Sequence, residues 1–167
     1  VYLPLIVASF YLSWAKKERS LLARLVAIAA ACLVLPLAIN VDIPHPWFAA
    51  DAIAPKGWYL CALLTTYFAT TVPFVKTVIR ERNSTPWFVG SITIHVVVVL
   101  AMAALAVQGY NYWTHVLVWV LLTGRAVAMP LLAKRRGVPW RPRNIGMPEI
   151  GYSLLVFATL PYGLAFP

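Results

Sequence analysis

WFVGSITIHVVVVLAMAALAV, residues 87–107, is the stretch that decides the class of the fold. It contains no Asp, Glu, Lys or Arg, and it is about as long as the roughly 20 apolar residues that a helix needs to cross a bilayer. The strict alternation of apolar and polar residues that is typical of a transmembrane β-barrel strand is absent. We therefore predict that these residues form a transmembrane α-helix.

The rest of the chain has the composition of a membrane protein. Hydrophobic residues make up 62% of it, charged residues only 11%, and the mean hydropathy is +0.78. A soluble domain of this length needs far more polar surface. We predict an all-α fold, a polytopic transmembrane bundle of about six helices. Besides 87–107, the apolar segments are 1–14, 21–40, 57–79, 112–133 and 148–166.

The first segment, residues 1–14, is the only one of the six that is too short to span the bilayer. A signal peptide would carry a basic stretch before its apolar core, and the sequence begins at Val1 without one. We therefore expect residues 1–167 to form a single transmembrane domain that lacks its N-terminal helices.

Lysine and arginine alternate from loop to loop. The first, third and fifth loops are basic, the second has one lysine and the fourth has no charge. By the positive-inside rule, the loops near 15–20, 80–86 and 134–147 are predicted to be cytoplasmic. The net charge of +9 is thereby explained by topology. We expect no nucleic-acid partner, because no folded basic domain is present to hold a duplex.

Arg125 lies about two turns inside its apolar segment, too deep to be a simple flank. An arginine at that depth costs several kcal/mol unless it is paired or faces water. We therefore expect a polar pocket that is open to the cytoplasm, with Glu149 at the start of the last helix. The predicted ligands for an anionic group are Lys76, Arg80, Arg82, His95, Arg125 and Arg143, and the predicted counter-charges are Glu81 and Glu149.

The expected ligand of this pocket is an anionic lipid or an isoprenyl phosphate, because arginine and lysine commonly bind phosphate or carboxylate. Lys76 and Arg80 would share a helix face. Three simpler interpretations stay open: both side chains reach the lipid headgroups by snorkelling, His95 is a hydrogen-bonded packing residue, and Glu149 is favoured by the positive end of its helix.

No metal, cofactor or catalytic residue is predicted. Cys32 and Cys61 lack metal-ligand spacing and suit small packing residues. Asp42 and Asp51 fall in the second loop, on the other side of the membrane, so no close pair of carboxylates is expected to hold Mg²⁺. The sequence contains no nucleophile elbow and no glycine-rich phosphate loop. Whether the protein is an enzyme stays open.

Several motifs carry a resemblance to a known family. FVKTVIRERNS, SITIHVVVVL, GRAVAMP and RPRNIGMPEIGYSLLVF occur in that order, and KKERSLLARL precedes them. Together they resemble the YwiC-like family of bacterial integral membrane proteins, which has no assigned biochemical role. The resemblance implies a place in the bacterial cytoplasmic membrane. It also implies that several predicted site residues fall in family motif segments, namely Lys76, Arg80, Glu81, Arg82, His95, Arg125 and Glu149.

Two other functions are weighed against a lipid-binding pocket. The layout is similar, less closely, to UbiA-type prenyltransferases, but those enzymes hold Mg²⁺-diphosphate with two aspartate-rich motifs and neither is present here. A degenerate prenyltransferase is therefore one alternative. The other is a non-catalytic subunit that contacts a partner membrane protein, or a transporter. Lys76, His95 and Arg125 are expected to converge within one protomer if the pocket exists, and to point outward if they contact a partner.

Overall fold

The computed structural model describes residues 2–15, 20–39 and 55–161. Within these ranges the regular structure is entirely helical, which confirms the predicted all-α class. The first and second loops fall largely outside them, and with them the predicted cytoplasmic loop near 15–20. The helices are α1 (Tyr2–Trp14), α2 (Leu21–Cys32), α3 (Val34–Ile39), α4 (Pro55–Ile79), α5 (Thr85–Val107), α6 (Trp113–Arg136) and α7 (Pro142–Thr159).

Three of the described helices, α4, α5 and α6, are long and apolar enough to cross a membrane. The sequence predicted five such spans. Segment 21–40 is instead divided at Leu33 into α2 and α3, because Pro36 has no N–H to donate to the carbonyl of Cys32 and so interrupts the helix. The last helix begins earlier than predicted, and its first half is too polar for a span.

By its internal contacts the chain forms two compact units, residues 1–72 and 73–167. In the first unit α1 packs on α2, and α2 on α3. Ser20 begins α2 by accepting a hydrogen bond from the N–H of Ala23 at 3.1 Å, as an N-cap serine does. Cys32 and Cys61 are buried thiols of this unit.

In the second unit α5 and α6 pack side by side, and the short connection between them makes them antiparallel neighbours. Buried Asn111 closes this hairpin. Its amide nitrogen donates to the carbonyl of Met102 at 3.3 Å, and its side-chain oxygen accepts from the N–H of Tyr112 at 2.9 Å. The uncharged fourth loop is therefore an ordered turn.

The connection from α6 to α7 folds back on α6. Gly137 ends α6 with a φ of 65°, a left-handed conformation that favours glycine. Three residues later, the indole N–H of Trp140 donates to the carbonyl of Met129 at 2.8 Å. Pro142 then starts α7. A small core joins the end of α4 to α6 and α7, and it consists of Phe74, Val78, Ala126 and Ile145.

Candidate functional site

Arg125 on α6 is buried, with 5% of its surface exposed. Its Nη1 donates to Oε1 of Glu149 on α7. The guanidinium also lies over two aromatic rings, 4.1 Å from the ring centroid of Phe74 and 4.8 Å from that of Tyr152. A cation in such a position is attracted by the ring faces. The charge is thus balanced by a carboxylate and by two rings from other parts of the second unit.

The predicted position of Glu149 was wrong. α7 begins at Pro142 rather than at Pro148, so Glu149 lies about two turns inside the helix. The positive end of a helix acts only over its first turn and does not explain a carboxylate there. Its partner does: Glu149 pairs with Arg125, and their side chains are 17% and 3% exposed.

His95 on α5 is also buried, with 1% of its surface exposed. Its Nδ1 lies 2.7 Å from the carbonyl oxygen of Ser91, one turn earlier. A carbonyl oxygen can only accept, so Nδ1 donates this hydrogen bond. His95 lies 12 residues before the end of α5 and Arg125 lies 12 residues after the start of α6, so in this antiparallel pair the two buried side chains lie at about the same level. The structure therefore brings three of the predicted site residues, His95, Arg125 and Glu149, into one region.

Unpartnered polar atoms mark this region. Among the described residues, the buried side-chain nitrogen and oxygen atoms without a hydrogen-bond partner are Ser91 Oγ, His95 Nε2, Arg125 Nε and Glu149 Oε2. These atoms come from α5, α6 and α7. We name Ser91, His95, Arg125 and Glu149 the buried polar cluster.

The other predicted cations lie elsewhere. Lys76 Nζ is 3.5 Å from the ring centroid of Trp87 and 3.8 Å from Oε1 of Glu81. Because α4 ends at Ile79, Arg80 lies in the following turn and is exposed. Arg143, near the start of α7, is exposed as well. A role for these side chains as anion ligands stays a prediction.

A groove lies between the α4–α5 turn and the end of α6. It has a larger lobe of about 360 Å³ and a smaller lobe of about 190 Å³. Four residues line both lobes, and we name them the basic groove: Arg82, Asn83, Pro130 and Lys134. The groove shows that the third and fifth loops meet at one end of the second unit.

Lys134 was missed as a site residue. The sequence shows it only as the first of three consecutive bases that end α6, and nothing in that run indicates which of them faces the α4–α5 turn. Apolar side chains adjoin the two bases of the basic groove. Phe88 and Leu131 line the smaller lobe, and Val78 and Val138 line the larger one.

Comparison with known proteins concerns the other unit. Residues 1–39 match the family model described as YwiC-like protein. This confirms the resemblance over a short part of the chain, 39 of 167 residues, which includes the motif KKERSLLARL. The motifs of the second unit lie outside the match. No curated protein and no solved structure matches the chain. The resemblance to UbiA-type prenyltransferases therefore rests on layout alone.

The match and the three long apolar helices together support a membrane protein. They do not assign a role to either polar region, since both lie in residues 73–167.

Proposed function

We propose that this membrane protein binds an anionic head group, that of an acidic lipid or of an isoprenyl phosphate, in the basic groove. One observation carries the proposal: Arg82 and Lys134 line both lobes, and none of the described lining residues is acidic. Guanidinium and ammonium groups are the usual protein ligands of phosphate. The larger lobe, about 360 Å³, is within the range of roughly 300–1,000 Å³ that is typical of small-molecule sites.

The proposed anion site keeps only some of the residues that the sequence predicts for it. Arg125 already has Glu149 as its counter-charge, and Lys76 already contacts Glu81 and Trp87. An anion there would compete with a carboxylate. Arg82 is retained from the predicted set, and Lys134 is added. The apolar side chains that adjoin the basic groove suit the first part of a lipid tail.

We infer further that the basic groove faces the cytoplasm of a bacterial cell. Arg82 belongs to the third loop, and Lys134 lies in the last turn of α6, beside the fifth loop. These are the two described loops that the positive-inside rule assigns to the cytoplasmic side. A cysteine in place of Ser84 or Arg136 should react in intact cells only with membrane-permeant reagents. Equal reaction with an impermeant reagent would reverse the orientation.

Binding is tested with Arg82→Gln and Lys134→Gln in nanodiscs of a neutral phospholipid. A charge-assisted hydrogen bond contributes roughly 1.5–3 kcal/mol, so each variant should bind added isoprenyl phosphate or phosphatidylglycerol about tenfold more weakly. Arg135→Gln is the matched control, because it removes an exposed neighbouring charge that does not line the groove. If folded Arg82→Gln and Lys134→Gln both bind like the parent, the proposal is wrong.

A further inference from the structure

The buried polar cluster has hydrogen-bonding capacity that the residues described by the structure do not use. Arg125 Nε is a donor, Glu149 Oε2 an acceptor, and Ser91 Oγ can be either. Because His95 Nδ1 donates to the Ser91 carbonyl, Nε2 of the uncharged ring is an acceptor. Buried polar groups are nearly always paired, so four unpaired atoms in one region indicate a missing partner.

The charges of the cluster limit the chemistry of that partner. Arg125 and Glu149 neutralise one another through their ion pair. A fully ionised anion accepts hydrogen bonds but donates none, so it would leave Glu149 Oε2 unpaired and would lie beside a carboxylate. A cation such as an ammonium donates but does not accept, and it would lie beside a guanidinium. An uncharged hydroxyl group both donates and accepts.

The side chain of Glu149 extends to the surface of α7. The Glu149 side chain is the more exposed member of the ion pair, at 17%. Gly146 lies one turn before it on the same face of α7, and no atom lies within 4 Å of the place where a Cβ would be. The neighbouring Met147 and Ile150 are exposed apolar side chains. An apolar chain can therefore lie along α7 while its polar end reaches Glu149.

We propose that the buried polar cluster binds an uncharged hydroxyl group, which accepts from Arg125 Nε and donates to Glu149 Oε2. The hydroxyl belongs either to a long-chain alcohol of the membrane or to a water molecule, and the experiment below separates these sources. The inference does not rest on the proposed function, because the basic groove shares no residue with this cluster.

The test uses the full chain in nanodiscs with a long-chain alcohol that carries a diazirine. The alcohol should label the peptide around Glu149, and excess unlabelled alcohol should suppress this labelling. Gly146→Leu, which fills the space beside Glu149 on α7, should lower it about tenfold. Gly151→Leu is the matched control, since Gly151 is also exposed with open space at its Cβ but is on a different face of α7. Both changes replace glycine by a better helix former.

A second arm detects bound water. If the hydroxyl is that of water, infrared difference spectra should show an O–H stretching band that shifts in H₂¹⁸O and is absent from the folded Arg125→Met/Glu149→Met double variant. Either result, suppressible labelling or this band, supports the proposal. It is overturned if neither appears, if Gly146→Leu labels as the parent does without such a band, or if the phosphate ester of the same alcohol labels the Glu149 peptide equally well.

Discussion

The second unit contains two buried histidines in different states. His115 is 0% exposed and His95 is 1% exposed. His115 Nε2 accepts from the indole N–H of Trp119 at 3.1 Å, and its Nδ1 lies 2.9 Å from Oγ1 of Thr159, which in turn donates to the carbonyl of Leu155 at 2.8 Å. His95 has a partner for Nδ1 alone.

The difference separates a structural network from a candidate site. The hydrogen bonds around His115 join the start of α6 to the end of α7 with both ring nitrogens satisfied, so nothing is left for a ligand. Nearer the other end of the same helix pair, the buried polar cluster also joins α6 to α7 but retains unused donors and acceptors. Burial alone therefore does not show whether a histidine is structural or belongs to a candidate site. The number of its ring nitrogens that have a hydrogen-bond partner distinguishes the two.

The largest loss of stability is expected from breaking the ion pair between Arg125 and Glu149. Arg125→Leu leaves Glu149 without its counter-charge, and Glu149→Leu does the same to Arg125. Removal of one partner of a buried pair typically destabilises by about 3–5 kcal/mol, whereas replacing both by apolar residues is often neutral. Unfolding in mixed micelles should therefore show the Arg125→Leu/Glu149→Leu double variant to be more stable than either single variant. If the two single variants and the double variant are equally stable, Arg125 and Glu149 do not form a pair.

The next largest difference in stability is expected between variants that replace the two histidines. His115→Leu removes two side-chain hydrogen bonds, one with Trp119 and one with Thr159, and should lower the free energy of unfolding by about 2 kcal/mol. His95→Leu removes one hydrogen bond to a backbone carbonyl and should cost less than about 1 kcal/mol. The ratio of the two losses is the measurement. Equal losses would remove the distinction between network and site.

The smallest loss of stability is expected for Lys76→Gln. Its cation–π contact with Trp87 and its half-exposed ion pair with Glu81 together contribute about 1 kcal/mol or less. Anionic lipid binding should stay as in the parent, because Lys76 does not line the basic groove. Arg80→Gln serves as the control for removal of a nearby exposed charge. If Lys76→Gln loses the lipid while Arg80→Gln keeps it, Lys76 belongs to the anion site, as the sequence first predicted.

The helical class could be predicted because each long apolar run contains at most one Asp, Glu, Lys or Arg, and 87–107, which contains none, is the plainest case. The ends of the shorter helices could not be predicted. Pro36 lies in a run that looks like one helix and divides it in the structure. The proline- and arginine-rich residues before Pro148 look like a loop, yet Pro142 starts a helix through them, because proline is well tolerated in a first turn.

The site was less predictable than the fold. The depth of Arg125 was enough to require a partner from another helix, and Glu149 was one of two candidates. The role of Lys134 depends on where the last turn of α6 points before Gly137 reverses the chain, which the sequence does not specify. His115 was not singled out, since a histidine in an apolar run gives no hint of a partner 44 residues away.

The pairing of Arg125 with Glu149 also has a consequence for biosynthesis. The two residues are 24 apart in the chain, and ribosomes add roughly 5–20 residues per second. α6 therefore exists for about one to five seconds before its counter-charge has been made. During that time an arginine in a spanning segment disfavours insertion by roughly 2.5–3.5 kcal/mol. We expect α6 to settle in the membrane only when α7 has followed it, so that the two helices enter as a pair.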